Sequence, residues 1–123
     1  KGQINENSKM LAYCNELPEL NHNEIVGWEN NPKIFKYLCV VWLNDSNDNE
    51  RSKLRKKITE SILNEVQINQ YSIQMIGNSF QERFLHMIHY GDWLSFWCAI
   101  LHKTDPSPVE KIIRLKNELS GKP

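Results

Sequence analysis

The run Ile34-Phe35-Lys36-Tyr37-Leu38-Cys39-Val40-Val41-Trp42-Leu43 carries a single charge in ten residues. A segment this apolar has to be covered on most sides, so it sets the centre of whatever the chain folds into. Its β-branched and aromatic residues suit a buried strand, and periodicity alone does not separate that from a buried helix. The lead-in favours helix. Asn31 stands as a cap and Pro32 at the first helical position, where the missing N–H is no loss. A second segment around 90–101 is apolar on all sides, with Trp93, Leu94, Phe96, Trp97, Cys98, Ile100 and Leu101. The two predict a central pair of apolar helices.

Start and stop signals divide the rest. Asn7-Ser8 is read as the cap of a short helix with Met10, Leu11, Tyr13 and Cys14 that ends before Pro18, and a second short helix covers 24–28. After the polar loop 44–49, Leu54, Ile58, Ile62 and Val66 recur every four residues, on one helical face. A short helix with Tyr71, Ile73, Met75 and Ile76 is closed by Gly77. Ser79 and Glu82 form a capping-box pattern for a helix that Gly91 ends, and Asp92 caps the next. Ser107-Pro108-Val109-Glu110 opens the last helix and Gly121 stops it. The expectation is an all-α fold: an irregular compact bundle of about six or seven helices with an apolar central helix pair. It is read as one domain, 1–123, with 1–6 and 120–123 frayed. The start Lys1-Gly2-Gln3-Ile4 has neither a methionine nor an apolar signal region, as in a piece excised from a longer chain.

Composition narrows function by exclusion. Fifteen basic residues balance fifteen acidic ones, which removes general attraction to nucleic acid or membrane. No stretch reaches the roughly 18 continuous apolar residues of a membrane span. Three cysteines, Cys14, Cys39 and Cys98, are odd in number and widely spaced, so no zinc ribbon or C-x-x-C motif exists. They fit a reducing compartment, hence a cytoplasmic or otherwise intracellular protein, and the common sequon Asn44-Asp45-Ser46 does not reverse that.

Catalytic motifs fare poorly. Glu82, His86 and His89 share a helix face, but no convincing further metal ligand accompanies them, so no metal or cofactor is expected. Cys14 with His22, and Cys98 with His102, lack an elbow or oxyanion loop. Five scattered glycines form no phosphate-cradling loop. A helix-turn-helix anchored on Gly77 would put Arg83 and His86 where apolar residues belong. The chain therefore reads as a non-enzyme.

What remains is a surface. Arg51, Lys53, Arg55, Lys56 and Lys57 place five basic residues within seven positions, in the opening turns of a helix where the macrodipole prefers acids. A solvated face is the plain reading; a contact for an acidic protein surface or a phosphate backbone is the functional one. Trp93 and Trp97 share a face four residues apart and serve as candidate apolar anchors. The function expected is thus a non-catalytic helical protein–protein interaction module, an adaptor, chaperone-like, regulatory or inhibitor domain. Its partner presents an acidic surface. The alternative is a nucleic-acid-binding helical domain using 51–57 on phosphates. A homo-oligomer would cover the helix at 90–101.

Overall fold

The computed structural model describes residues 1–121. Helix α1 (Gly2–Asn7) is followed by a 3-10 turn (Glu19–Asn21), α2 (Glu24–Gly27), α3 (Pro32–Phe35), strand β1 (Cys39–Asn44), α4 (Glu50–Glu65), β2 (Asn69–Gln74), α5 (Phe80–Leu101) and α6 (Glu110–Ser120). The described residues group into two compact units. One takes Lys1–Tyr13 with the segment from Ile88 onward; the other takes Cys14–Met87. Lys122 and Pro123, in the stretch expected to fray, lie outside the described residues.

The all-α expectation is overturned by a parallel pair of strands. Residues of β1 pair in register with β2, from Cys39 opposite Asn69 to Asn44 opposite Gln74. Parallel neighbours need a crossover, and α4 supplies it. The Asn-Pro signal at 31–32 is real, but the helix it starts lasts only four residues. The chain then extends where Cys39-Val40-Val41-Trp42 concentrates β-branched and aromatic side chains. Both faces of β1 are apolar, which hides the period-two signal. Val40 and Trp42 turn inward, while Val41 and Leu43 on the opposite face stay exposed. In place of the short helix expected at 71–76, Asn69–Gln74 is β2, held extended by its pairing with β1.

The core of the second unit is Trp28, Phe35, Trp42, Leu63 and Ile68, with Val40 and Val66 packed against it. Trp28 and Phe35 meet with ring centroids 5.6 Å apart. The indole N–H of Trp42 donates to Gln70 Oε1 at 2.9 Å, and Gln70 Nε2 donates in turn to the Glu60 carbonyl. That chain of bonds fastens β1, β2 and α4 together. Helix α4 opens with Asn49, whose side chain accepts from the Ser52 N–H at 2.8 Å.

In the first unit the expected break at Gly91 does not occur, so α5 is one helix of 22 residues. Gly91 serves a close approach instead. A Cβ there would collide with the Gln3 carboxamide, which donates to the Ile88 carbonyl and to the Asp92 carboxylate. The Asn7-Ser8 signal also inverts: Ser8 is the C-cap of α1, and residues 10–14 are not helical. Ser8, Ser95 and Ala99 are fully buried, so small side chains bring the end of α1 against α5. With 34–43 split between α3 and β1, the expected central helix pair does not form.

Candidate functional site

Among the described residues three that are not glycine hold a positive φ: Lys9 at 56°, Gln67 at 59° and Lys103 at 55°. All three follow the end of a helix, where glycine is the usual choice because a Cβ in this region costs about 1–2 kcal/mol. Lys103 shows the geometry fully. Its N–H reaches the Ile100 carbonyl at 3.0 Å, and the Thr104 N–H reaches back to Ala99 at 2.9 Å. Gln67 and Ile68 repeat the pattern after α4, which shows that a non-glycine residue here can be purely structural. The two lysines differ from Gln67 in carrying a charge.

Lys9 Nζ donates to the Glu6 carbonyl at 2.6 Å and to the Pro106 carbonyl at 3.1 Å. The turn after α1 and the segment after Lys103 are therefore held against each other. Asn7 Nδ2 donates to Ser95 Oγ at 2.8 Å, and the Ser8 hydroxyl donates to the Ser95 carbonyl at 2.8 Å, fixing the end of α1 on α5. Asn5 closes the far side with paired bonds to Ala12, whose N–H it accepts at 2.7 Å and whose carbonyl it donates to at 3.0 Å. Glu6 sits inside this frame. Among the described residues its carboxylate makes no hydrogen bond or ion pair, whereas Asp92 is taken by Gln3, Asp105 by the Ser107 N–H and Glu118 by Arg114. An exposed carboxylate left uncommitted next to a tied-down turn is a candidate for chemistry. The sequence carries no motif for it, because the signal is backbone conformation.

The residues singled out from sequence are placed as follows. Lys53 pairs with Glu50 at 2.9 Å and Lys56 with Glu60 at 2.7 Å, so two of the five basic residues are spent on their own helix. Lys56 also donates to Ser72 and lies over the Trp42 ring. Arg51 and Lys57 are exposed and Arg55 half-buried, and among the described residues these three make no ion pair. Trp93 and Trp97 are 51% and 54% exposed. They belong to an aromatic ladder: His89 against Trp93 at 6.2 Å, Trp93 against Phe96 at 5.8 Å and Phe96 against Trp97 at 5.6 Å. Glu82, His86 and His89 are each engaged elsewhere. Glu82 accepts from the backbone of Asn78 and Ser79, His86 from the Ile76 N–H, and His89 from the Trp93 indole. Among the described residues no cluster of three or more His, Cys, Asp or Glu side chains is placed to hold a metal ion.

In the second unit the carboxyl ends of β1 and β2 run into the loops before α4 and α5, the usual binding end of a parallel sheet. Asp45 stands there. The Asn47 N–H at 2.8 Å and the buried Arg83 guanidinium at 2.7 Å hold its carboxyl below the usual carboxylate value. His22 is exposed at the end of the 3-10 turn, flanked by Asn21, which donates to Thr59, and Asn23, which caps α2.

Among the described residues no helix is long and apolar enough to cross a membrane. Residues 1–119 match the family described as the bacterial phospho-glucose isomerase C-terminal SIS domain. Curated relatives carry the name bifunctional phosphoglucose/phosphomannose isomerase. The protein of Aquifex aeolicus is 43% identical over 97% of this chain and 37% of its own length. That of Caldicellulosiruptor bescii is 44% identical over 98% of this chain and 35% of its own. That of Thermoplasma volcanium is 32% identical over 98% of this chain and 38% of its own. The chain thus spans little more than a third of these relatives. No solved structure gives a significant match. These relatives are enzymes, and that overturns the expected non-enzyme. The non-catalytic adaptor or regulatory module, reached in part from the apparent lack of chemistry, falls with it, as does the nucleic-acid-binding alternative read from the basic stretch 51–57. The chain belongs to the bacterial phospho-glucose isomerase C-terminal SIS domain family.

Proposed function

We propose that this chain supplies catalytic residues of a sugar-phosphate isomerase acting on phosphoglucose and phosphomannose. The observation that carries the reading is likeness along nearly the whole chain to isomerases of both names, at 43% and 44% identity. The site in the first unit supports it chemically. Glucose and mannose differ at the carbon beside the carbonyl, and a planar enediolate at that carbon erases the difference. One site that makes this intermediate therefore serves both sugars.

The step needs a base for the carbon-bound proton and a cation for the oxygen that gains charge. Glu6 is the proposed base: it takes the carbon-bound proton, the C–H pair becomes the enediolate double bond as the carbonyl π pair moves onto its oxygen, a proton passes from the neighbouring hydroxyl to that oxygen, and Glu6 returns its proton to the former carbonyl carbon as the new carbonyl forms. Lys103 is the proposed cation beside the enediolate oxygen. A sugar phosphate is charged and does not leak through a bilayer, so this reading places the protein in the cytoplasm.

The 37% span supports a further proposal, that the apolar surface is a contact face for more protein, either a second copy or the rest of a longer isomerase. Trp93 and Trp97 are its proposed anchors, with Arg51, Lys53, Arg55, Lys56 and Lys57 as charges for orientation. The test of function is turnover of each sugar phosphate by the whole isomerase that carries this chain, as wild type and as Glu6→Gln. Both substrates should be isomerised by the wild type, and the variant should lose about 10²–10⁴-fold in kcat with its circular dichroism unchanged. An inert wild type, or a fully active variant, would sink the reading.

A further inference from the structure

We propose that Lys9 is a positioning residue, holding Glu6 and Lys103 at a fixed separation for the isomerisation; this rests on the isomerase reading above. Its ammonium bridges two backbone carbonyls, Glu6 at 2.6 Å and Pro106 at 3.1 Å, that lie a hundred residues apart in sequence. One carbonyl belongs to the proposed base itself, and the other lies three residues beyond the proposed cation. Lys9 holds φ at 56° to make this reach, a conformation in which a glycine would be more stable but would bring no ammonium. The bonds on either side remove slack. Ser8 is fully buried and fastened to the Ser95 carbonyl, and Asn5 closes the turn through both polar groups of Ala12. Because the ammonium is used on carbonyls, the Glu6 carboxylate is left open for a proton. The segment after Lys103 has only this side-chain tie to the end of α1 among the described residues. A proton-transfer site tolerates little misplacement, so loosening that tie reads out in the chemical step.

The experiment compares wild type, Lys9→Met, Lys9→Gly and Lys9→Arg in the whole isomerase that carries this chain, using phosphoglucose turnover and amide hydrogen exchange at residues 103–108. In Lys9→Met the exchange there should quicken about tenfold, kcat should fall by about 10²-fold and KM should stay within about threefold. Lys9→Gly accepts the backbone conformation without strain, so it folds, and it should show the same loss of kcat. Lys9→Arg keeps a cationic donor and should recover most of the turnover. Unchanged kcat in Met and Gly variants of an active enzyme would overturn the role of Lys9 while leaving the isomerase reading intact. Unchanged exchange at 103–108 would overturn the tie. An inert wild type would overturn both readings at once, which sets that failure apart from the others.

Discussion

At Lys103 and Gln67 the backbone adopts the same conformation after a helix, and the proposed site gives a role to the first alone. Glycine at either position relieves the Cβ penalty and gives back part of the gain as unfolded-chain entropy. Both Lys103→Gly and Gln67→Gly should therefore stabilise the protein by up to about 1 kcal/mol in urea unfolding. Only the first should abolish turnover. Equal turnover in the two variants would remove Lys103 from the site. Asp45 makes a separate case. Its carboxyl is lowered below the usual value of 3.8, first by the Asn47 N–H and then by Arg83. A lowered folded-state value contributes stability that is present above the unfolded value and is lost as pH falls through the folded one. Asp45→Asn should flatten the loss of stability below about pH 4 and lower stability at neutral pH, where Arg83 is left buried without its anion. An acid unfolding curve superimposable on that of the wild type would contradict this.

The turn between β2 and α5 shows how much an element depends on one residue. Gly77 has φ of 151°, and a Cβ there would stand 2.6 Å from Glu82 Cβ and 2.8 Å from the Arg83 nitrogen. Gly77→Ala should cost about 2–4 kcal/mol, from backbone strain together with a clash against helix backbone. A midpoint in urea close to that of the wild type would refute it. The sequence showed the elements that depend on local signals. The capping box Ser79 to Glu82 does open α5, and of the four-residue repeat Leu54, Ile58 and Ile62 lie on α4 with Val66 as its C-cap. What it hid depends on tertiary pairing. Strand β1 has apolar residues on both faces, so its alternation vanished, and β2 was a six-residue segment with too little pattern to separate strand from helix. The site was hidden more deeply. Lys9 and Lys103 are ordinary letters in a sequence, and only their φ values and the reach of the Lys9 ammonium bring them out.

Taken whole, the chain exposes more large apolar side chains than it buries, among them Val41, Leu43, Phe84, Leu85, Trp93 and Trp97. Large apolar side chains left in water favour a covering partner, which is the contact proposed above. Sedimentation should therefore show association that grows with protein concentration. The double variant Trp93→Ser with Trp97→Ser should weaken it about tenfold, with stability shifted by less than about 1 kcal/mol because both indoles are half-exposed. Association of equal strength in the variant would move the contact elsewhere. The sheet has only two strands among the described residues, so β1 and β2 each pair along one side alone. An open row of amides beside bare Val41 and Leu43 is a surface on which any extended chain can be copied. For this molecule, then, the dangerous interval is the time between synthesis and covering, and the race it runs is one of rates rather than of equilibrium.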